Sequence, residues 1–168
     1  MRKNPRDLLL FVMGINTALR ISDLLPLTVG HIRNENGELR PLVTLRENKT
    51  GKLKQFPLND SILSILKEYL ELDEDMDDAS FLFASNKGGA PITRTHAWRI
   101  LSGAAQQAGL DDVGTHTLRK TFGYHAYRKT KDLGLVQKLL NHSSSRETLR
   151  YIGIDQDDLD AAYHKVNL

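Results

Sequence analysis

Six polar side chains of this chain could together transfer a phosphodiester from one oxygen to another. In chain order they are Arg20, Lys49, His116, Arg119, His142 and Tyr151. An arginine keeps its charge, and its planar fork contacts two phosphate oxygens at once. A tyrosine hydroxyl can act as a nucleophile when a base and positive charge lie nearby. These residue types predict a reaction in which cations hold a phosphate and a phenol attacks it.

The local sequence indicates how these side chains are positioned. Arg20 lies in TALRISD where a first helix ends, and Lys49 lies in ENKTGK, a turn between two strand-like segments. His116 and Arg119 are one helical turn apart in THTLRK and therefore share a helix face. Each residue alone has an ordinary structural explanation, such as a surface arginine or a solvated turn lysine. Their joint order does not.

The motifs ALRISD, ENKTGK, HTLR and LLNHSS are followed by a tyrosine nine residues after the last histidine. In order and approximate spacing, they resemble the tyrosine recombinase, or phage integrase, family. The resemblance runs from about Pro5 to about Ile154. Two departures are Ala18, where many members have glycine, and Asn141, where glycine is commoner before the histidine. Neither departure removes a chemically active group.

The resemblance implies a DNA strand transferase and a role for each side chain. Arg20 and Arg119 would clamp the scissile phosphate of double-stranded DNA. Lys49 would act as the general acid toward the 5′-oxygen leaving group. Asp23 matches an acidic position that supports the active site from behind, three residues after Arg20.

The remaining residues concern the nucleophile and its protons. A free tyrosine has a pKa of about 10, so Tyr151 needs a base in order to attack at neutral pH. By resemblance, His116 would take its proton, and His142 would hydrogen-bond the phosphate. The product would be a 3′-phosphotyrosine ester, which a free 5′-hydroxyl can reverse without ATP. We therefore expect no cofactor and no metal.

Two other functions stay open. A type IB topoisomerase-like enzyme uses similar arginine, lysine, histidine and tyrosine chemistry but relaxes supercoils. A catalytically inert DNA-binding module would keep the fold alone. The ENKTGK hairpin and HTLR favour the recombinase over the topoisomerase. The complete set of competent residues counts against an inert module.

The distribution of charge is compatible with DNA as a partner. The formal net charge is only +2, but residues 71–78 contain six acids and residues 155–160 contain four. The rest of the chain has 23 basic and 11 acidic residues. A polyanion would meet this basic remainder. A solvated surface of mixed charge is the alternative explanation.

Length and composition limit the class of protein. A chain of 168 residues suits one domain, and we expect a single catalytic domain over 1–168. By resemblance, the N-terminal core-binding domain that closes a clamp around DNA in most members would be absent. The chain has no cysteine, which fits a cytoplasmic protein. The resemblance implies a bacterial or phage source. No stretch approaches the length of a membrane span.

Hydrophobic periodicity predicts a mainly α-helical, α+β domain, as in the integrase catalytic domain. LVTLR and KQFPL flank the ENKTGK turn, and the polar NENG turn before them indicates a third strand of an antiparallel sheet. Ser144 and Glu147 form a capping-box pattern that places Tyr151 on a short helix. A last helix, 157–168, would either fold against its own domain or dock on another protomer in a synaptic complex. We expect the first arrangement for the isolated chain.

Overall fold

The structure, a computed structural model, describes residues 4–73, 75–86 and 88–153. These residues form eight helices and two strands: α1 (Pro5–Asn16), α2 (Ile21–Leu24), α3 (Val29–Ile32), β1 (Leu42–Arg46), β2 (Leu53–Pro57), α4 (Asp60–Leu70), α5 (Arg94–Gln107), α6 (Thr115–Thr130), α7 (Leu133–Leu139) and α8 (Ser145–Ile152). The predicted mainly helical fold with a small antiparallel sheet is confirmed. No helix within these ranges is both long enough and apolar enough to cross a bilayer.

The chain divides into two compact units, Met1–Arg119 and Lys120–Leu168, with α6 contributing residues to both. In the first unit, α1 packs against α4. Each helix begins after a capping asparagine, because the side chains of Asn4 and Asn59 accept hydrogen bonds from the first turn of α1 and α4, respectively. Their apolar stripes supply fully buried core side chains, among them Leu9, Leu10, Met13, Ile62 and Leu66.

Strands β1 and β2 form an antiparallel hairpin with a defined register. Val43 lies opposite Phe56, and Leu45 lies opposite Lys54. The turn is closed by the Gly51 N–H, which donates to the Glu47 carbonyl at 2.8 Å. Gly51 has a φ of +65°, a conformation that glycine adopts without a steric penalty. The hairpin therefore fixes which of its side chains face the protein interior.

The predicted third strand is wrong, because the sheet in the described ranges has two strands. Around the NENG turn, a single β-bridge joins Arg33 to Leu39. The chain before this turn forms α3, which ends at Ile32, so the pairing there does not extend beyond the Arg33–Leu39 bridge into a strand. On the other side, Pro41 directly precedes β1 and has no N–H to donate to a ladder.

In the second unit, α7 packs against α8. The Ser144 side chain caps α8 by accepting a hydrogen bond from the Glu147 N–H at 3.2 Å, so the predicted short helix carrying Tyr151 is confirmed. On α6, a Cβ at Gly123 would lie 2.9 Å from Ile152 Cγ2. A glycine at this position is what permits the close approach. The predicted helix 157–168 lies outside the described residues.

Candidate active site

Arg20 lies directly before α2 in an extended conformation, and its side chain is 17% exposed. Its Nη1 donates to Glu47 Oε1 at 2.8 Å. The Glu47 side chain is fully buried, and its other oxygen, Oε2, accepts a hydrogen bond from Thr50 Oγ1 at 2.7 Å. Arg20 is thus tied to the residue after β1 by a partly buried, charge-assisted hydrogen bond.

Arg119 lies on α6, and its side chain is only 3% exposed. Its Nη1 donates to the Ala18 carbonyl and lies 4.0 Å from Glu47 Oε1, the same oxygen that binds Arg20. The turn of α6 that carries Arg119 lies close to α1, because Leu118, the residue before Arg119, packs directly on Gly14. The structure therefore brings the two predicted phosphate-binding arginines to one buried carboxylate oxygen.

Ala18 has a φ of +58°, in the left-handed region that favours glycine. This conformation lies two residues before Arg20 and at the carbonyl that accepts from Arg119. Ala18, the position where glycine is commoner, therefore forms a backbone bend. This bend leads into Arg20, and its carbonyl accepts from Arg119. The alanine keeps the bend at a small conformational cost.

Lys54 is a buried lysine beside this arginine pair that the motif analysis did not identify. Burial, the positive charge of Arg119 and the more weakly acting charge of Arg20 lower its pKa from 10.5 to about 8, against the opposing effect of Glu47. Near pH 8 the group therefore exchanges between a charged and a neutral form. Its charge in the folded protein is sensitive to any anion that reaches the arginines.

This pKa predicts a pH dependence of stability. Between pH 8 and 10.5, the unfolded chain binds more protons at Lys54 than the folded protein does, so the free energy of unfolding rises with pH. The contribution is at most about 1.4 kcal/mol per pH unit. Urea unfolding of the wild type and of Lys54→Met across this window should show the wild type gaining stability relative to the variant. Parallel curves would show that the lysine titrates normally.

The other predicted residues of the first unit lie around this cluster. Lys49 is exposed in the hairpin turn. Asp23 is buried, and its Oδ1 accepts a hydrogen bond from the Asn48 N–H at 2.8 Å, which ties the turn to α2. His116 is exposed at the start of α6, and its Nε2 lies 3.3 Å from Nη2 of Arg94.

In the second unit, His142 and Tyr151 are in direct contact. Their rings meet edge to face, with centroids 4.9 Å apart and planes at 80°. His142 is buried, with its Nδ1 3.2 Å from Thr148 Oγ1. The ammonium of Lys120 lies 5.8 Å from the Tyr151 ring centroid. Tyr151 lines a groove with cationic side chains that include Arg146. The tyrosine therefore lies among donors and positive charge, as a nucleophilic phenol requires.

Four further residues of the site were not predicted from the sequence: Glu47, Lys54, Arg94 and Lys120. For Glu47 and Lys54, the alternation of buried and exposed side chains along β1 and β2 indicates burial. Lys54 shares the buried face of β2 with Phe56, and Glu47 continues the buried face of β1. The proximity of Arg94 to His116 and of Lys120 to Tyr151 depends on tertiary packing, which spacing alone does not report.

Comparison with known proteins assigns the chain to one family. Residues 2–157 match the model of the phage integrase family. The probable integrase/recombinase YoeC of Bacillus subtilis is 47% identical over 163 residues, which cover 97% of this chain and 86% of YoeC. Tyrosine recombinase XerC of Herpetosiphon aurantiacus is 34% identical over 90% of this chain and 49% of that relative, so the chain spans about half the length of XerC.

A solved structure extends the comparison to three dimensions. The XerH site-specific recombinase, bound to a palindromic difH substrate in a post-cleavage complex, is 28% identical with a TM-score of 0.71. The alignment covers 95% of this chain and 45% of the XerH chain. The predicted similarity to an integrase catalytic domain is confirmed.

Proposed function

Because the chain belongs to the phage integrase family, we propose that it is a site-specific DNA recombinase or integrase acting through a 3′-phosphotyrosine intermediate. One observation carries the proposal. The Nη1 atoms of Arg20 and Arg119 lie 2.8 and 4.0 Å from the same carboxylate oxygen. Two guanidiniums this close, each with further N–H donors, suit the non-bridging oxygens of a single phosphate.

In the cleavage step that we propose, the Tyr151 oxygen attacks the phosphorus of the scissile phosphodiester. The bond from phosphorus to the 5′-oxygen breaks as the bond to the tyrosine oxygen forms. His116 accepts the tyrosine proton, and Lys49 donates a proton to the departing 5′-oxygen. Arg20 and Arg119 hold the non-bridging oxygens while negative charge develops on them.

The joining step reverses this chemistry with another strand. A 5′-hydroxyl attacks the phosphotyrosine, gives up its proton, and the tyrosine oxygen leaves and is reprotonated. One phosphate ester is exchanged for another in each direction, so the bond energy is conserved and no ATP is consumed. His142 supports the reaction by hydrogen-bonding the phosphate, and Asp23 by holding the hairpin turn that carries Lys49.

The partners included in the proposal are double-stranded DNA and further copies of this chain. The basic excess outside the two acidic runs supports an interaction with phosphates. XerH was solved with its difH substrate, which supports DNA as the substrate class here. Residues 157–168 are the segment that we propose for contacts between protomers, and the cytoplasm is the proposed compartment.

The proposal can be tested without knowing the target sequence. The wild-type protein is incubated in EDTA, without ATP, with a pool of 5′-labelled duplexes that carry a nick within a randomised core. We expect a covalent adduct stable in SDS, and adding a strand with a free 5′-hydroxyl should convert it into joined DNA. Absence of an adduct across the pool would contradict the proposal. Robust relaxation of a plasmid lacking the captured sites would favour the topoisomerase-like alternative.

A further inference from the structure

Glu47 is the point at which the arginine pair and the catalytic hairpin meet. Its Oε1 accepts from Arg20 at 2.8 Å and lies 4.0 Å from Arg119 Nη1. Its Oε2 accepts from the hydroxyl of Thr50, the residue after Lys49 in the turn. Each carboxylate oxygen thus serves a different element, and the side chain has no exposed surface.

We propose that Glu47 is a positioning residue of the strand-transfer reaction, setting the spacing of Arg20 and Arg119 and coupling them to the Lys49 turn. This inference rests on the proposed function. Like charges in a buried site repel one another, and a carboxylate between two guanidiniums offsets that repulsion. Without such a group, the arginines would separate or turn toward solvent before a phosphate arrives.

The burial of Glu47 favours this role over that of an internal competitor for the phosphate. A competing carboxylate would occupy the open side of the arginines, where DNA must approach. Glu47 is instead fully buried, while Arg20 keeps 17% of its side chain exposed. A guanidinium has five N–H donors, so it can contact Glu47 through one of them and a substrate through others.

The link to the hairpin makes the position of Lys49 depend on the same carboxylate. The turn has a second tie, since the Asn48 N–H donates to Asp23 at 2.8 Å. Asp23 and Glu47 therefore hold the two neighbours of Lys49 in the turn, Asn48 and Thr50 respectively. Through its own side chain, Glu47 contacts both the turn and Arg20.

The test compares two substrates that differ only in the leaving atom. One is the nicked duplex pool, and the other carries a bridging sulfur at the 5′ position, which leaves without needing a proton. Glu47→Gln keeps the shape of the side chain and removes its charge. We expect adduct formation to slow by about 10–100-fold, because the arginines lose their spacing. The sulfur substrate should not restore the rate, since the arginines act on both substrates.

Matched variants separate the two functions of the carboxylate. Of the contacts of Glu47, Thr50→Val removes only the hydrogen bond to the turn, so we expect a smaller loss of cleavage rate than for Glu47→Gln. The sulfur substrate should restore that rate, as it should for Lys49→Ala. Glu68→Gln makes the same charge change at an exposed site on α4 and should cleave like the wild type. Should Glu47→Gln fail to fold, Glu47→Asp is the second variant. It keeps the negative charge but moves the carboxylate away from the arginines by one methylene, and it should show the same loss of cleavage rate.

Three results would overturn the proposal. They are cleavage by Glu47→Gln at the wild-type rate, cleavage faster than the wild type, and full restoration of its rate by the sulfur substrate. Faster cleavage would identify Glu47 as a competitor of the phosphate for the arginines. Full restoration of the rate by the sulfur substrate would show that Glu47 acts through Lys49 alone. Failure of the proposed function itself would look different, because the wild type and Glu68→Gln would then also form no adduct with either substrate.

Discussion

Tyr151→Phe is expected to abolish the covalent protein–DNA adduct and leave the folded protein otherwise intact. The change removes the attacking oxygen and keeps the ring, whose edge-to-face contact with His142 has a centroid distance of 4.9 Å. The ring-packing surface is therefore preserved. The adduct is measured on SDS gels with the nicked pool, the fold by thermal unfolding, and non-covalent binding by gel shift.

Tyr124→Phe is the matched control for this prediction. Tyr124 is an exposed tyrosine on α6, in the same unit as Tyr151, and its hydroxyl accepts a hydrogen bond from Arg128 at 2.8 Å. This variant should form as much adduct as the wild type. An adduct of undiminished yield from Tyr151→Phe would show that another residue is the nucleophile.

Arg119→Lys is expected to slow cleavage by about 10²–10³-fold although the positive charge is retained. Arg119 donates to the Ala18 carbonyl and lies 4.0 Å from Glu47, and the proposed function requires the same guanidinium to bind a phosphate. A lysine ammonium is a compact point charge and cannot satisfy these partners in the fixed geometry of a guanidinium fork. The measured quantity is the single-turnover rate of adduct formation at saturating protein.

Because Arg119 is buried, the variant must be assayed at a temperature where unfolding curves show it to be folded. Arg128→Lys makes the same exchange at an exposed site of the same helix and should leave the rate unchanged. Retention of more than half of the wild-type rate in Arg119→Lys would rule out a bidentate role for Arg119.

Local signals in the sequence were sufficient for the helices and for the identity of the motifs. Capping residues such as Asn4, Asn59 and Ser144 satisfy N–H groups of their own first turn, so their effect is readable from neighbours in the chain. The hairpin was also predictable from neighbouring residues, because its turn is closed by a hydrogen bond between Gly51 and Glu47. The third strand was predicted wrongly, because α3 occupies the chain up to Ile32 and limits the pairing to the Arg33–Leu39 bridge.

The surroundings of the predicted site residues could not be read from their spacing. Glu47 and Arg20 are 27 positions apart, and Arg119 reaches Ala18 over 101 positions. The first contact joins the residue before α2 to the residue after β1, and the second brings α6 to the chain after α1, where Leu118 packs on Gly14. The departure at Ala18 acquired a meaning only with the backbone, where φ is +58°. Residue types thus indicated the chemistry, and packing determined which buried charges accompany it.

The most direct test of the account is to locate the DNA attachment point on the wild-type protein. The adduct trapped with nicked duplex is digested with nuclease and protease, and the modified peptide is sequenced by mass spectrometry. We expect a nucleotide joined through its 3′-phosphate to the oxygen of Tyr151. A nucleotide attached to any other residue, or joined through a 5′-phosphate, would contradict the account.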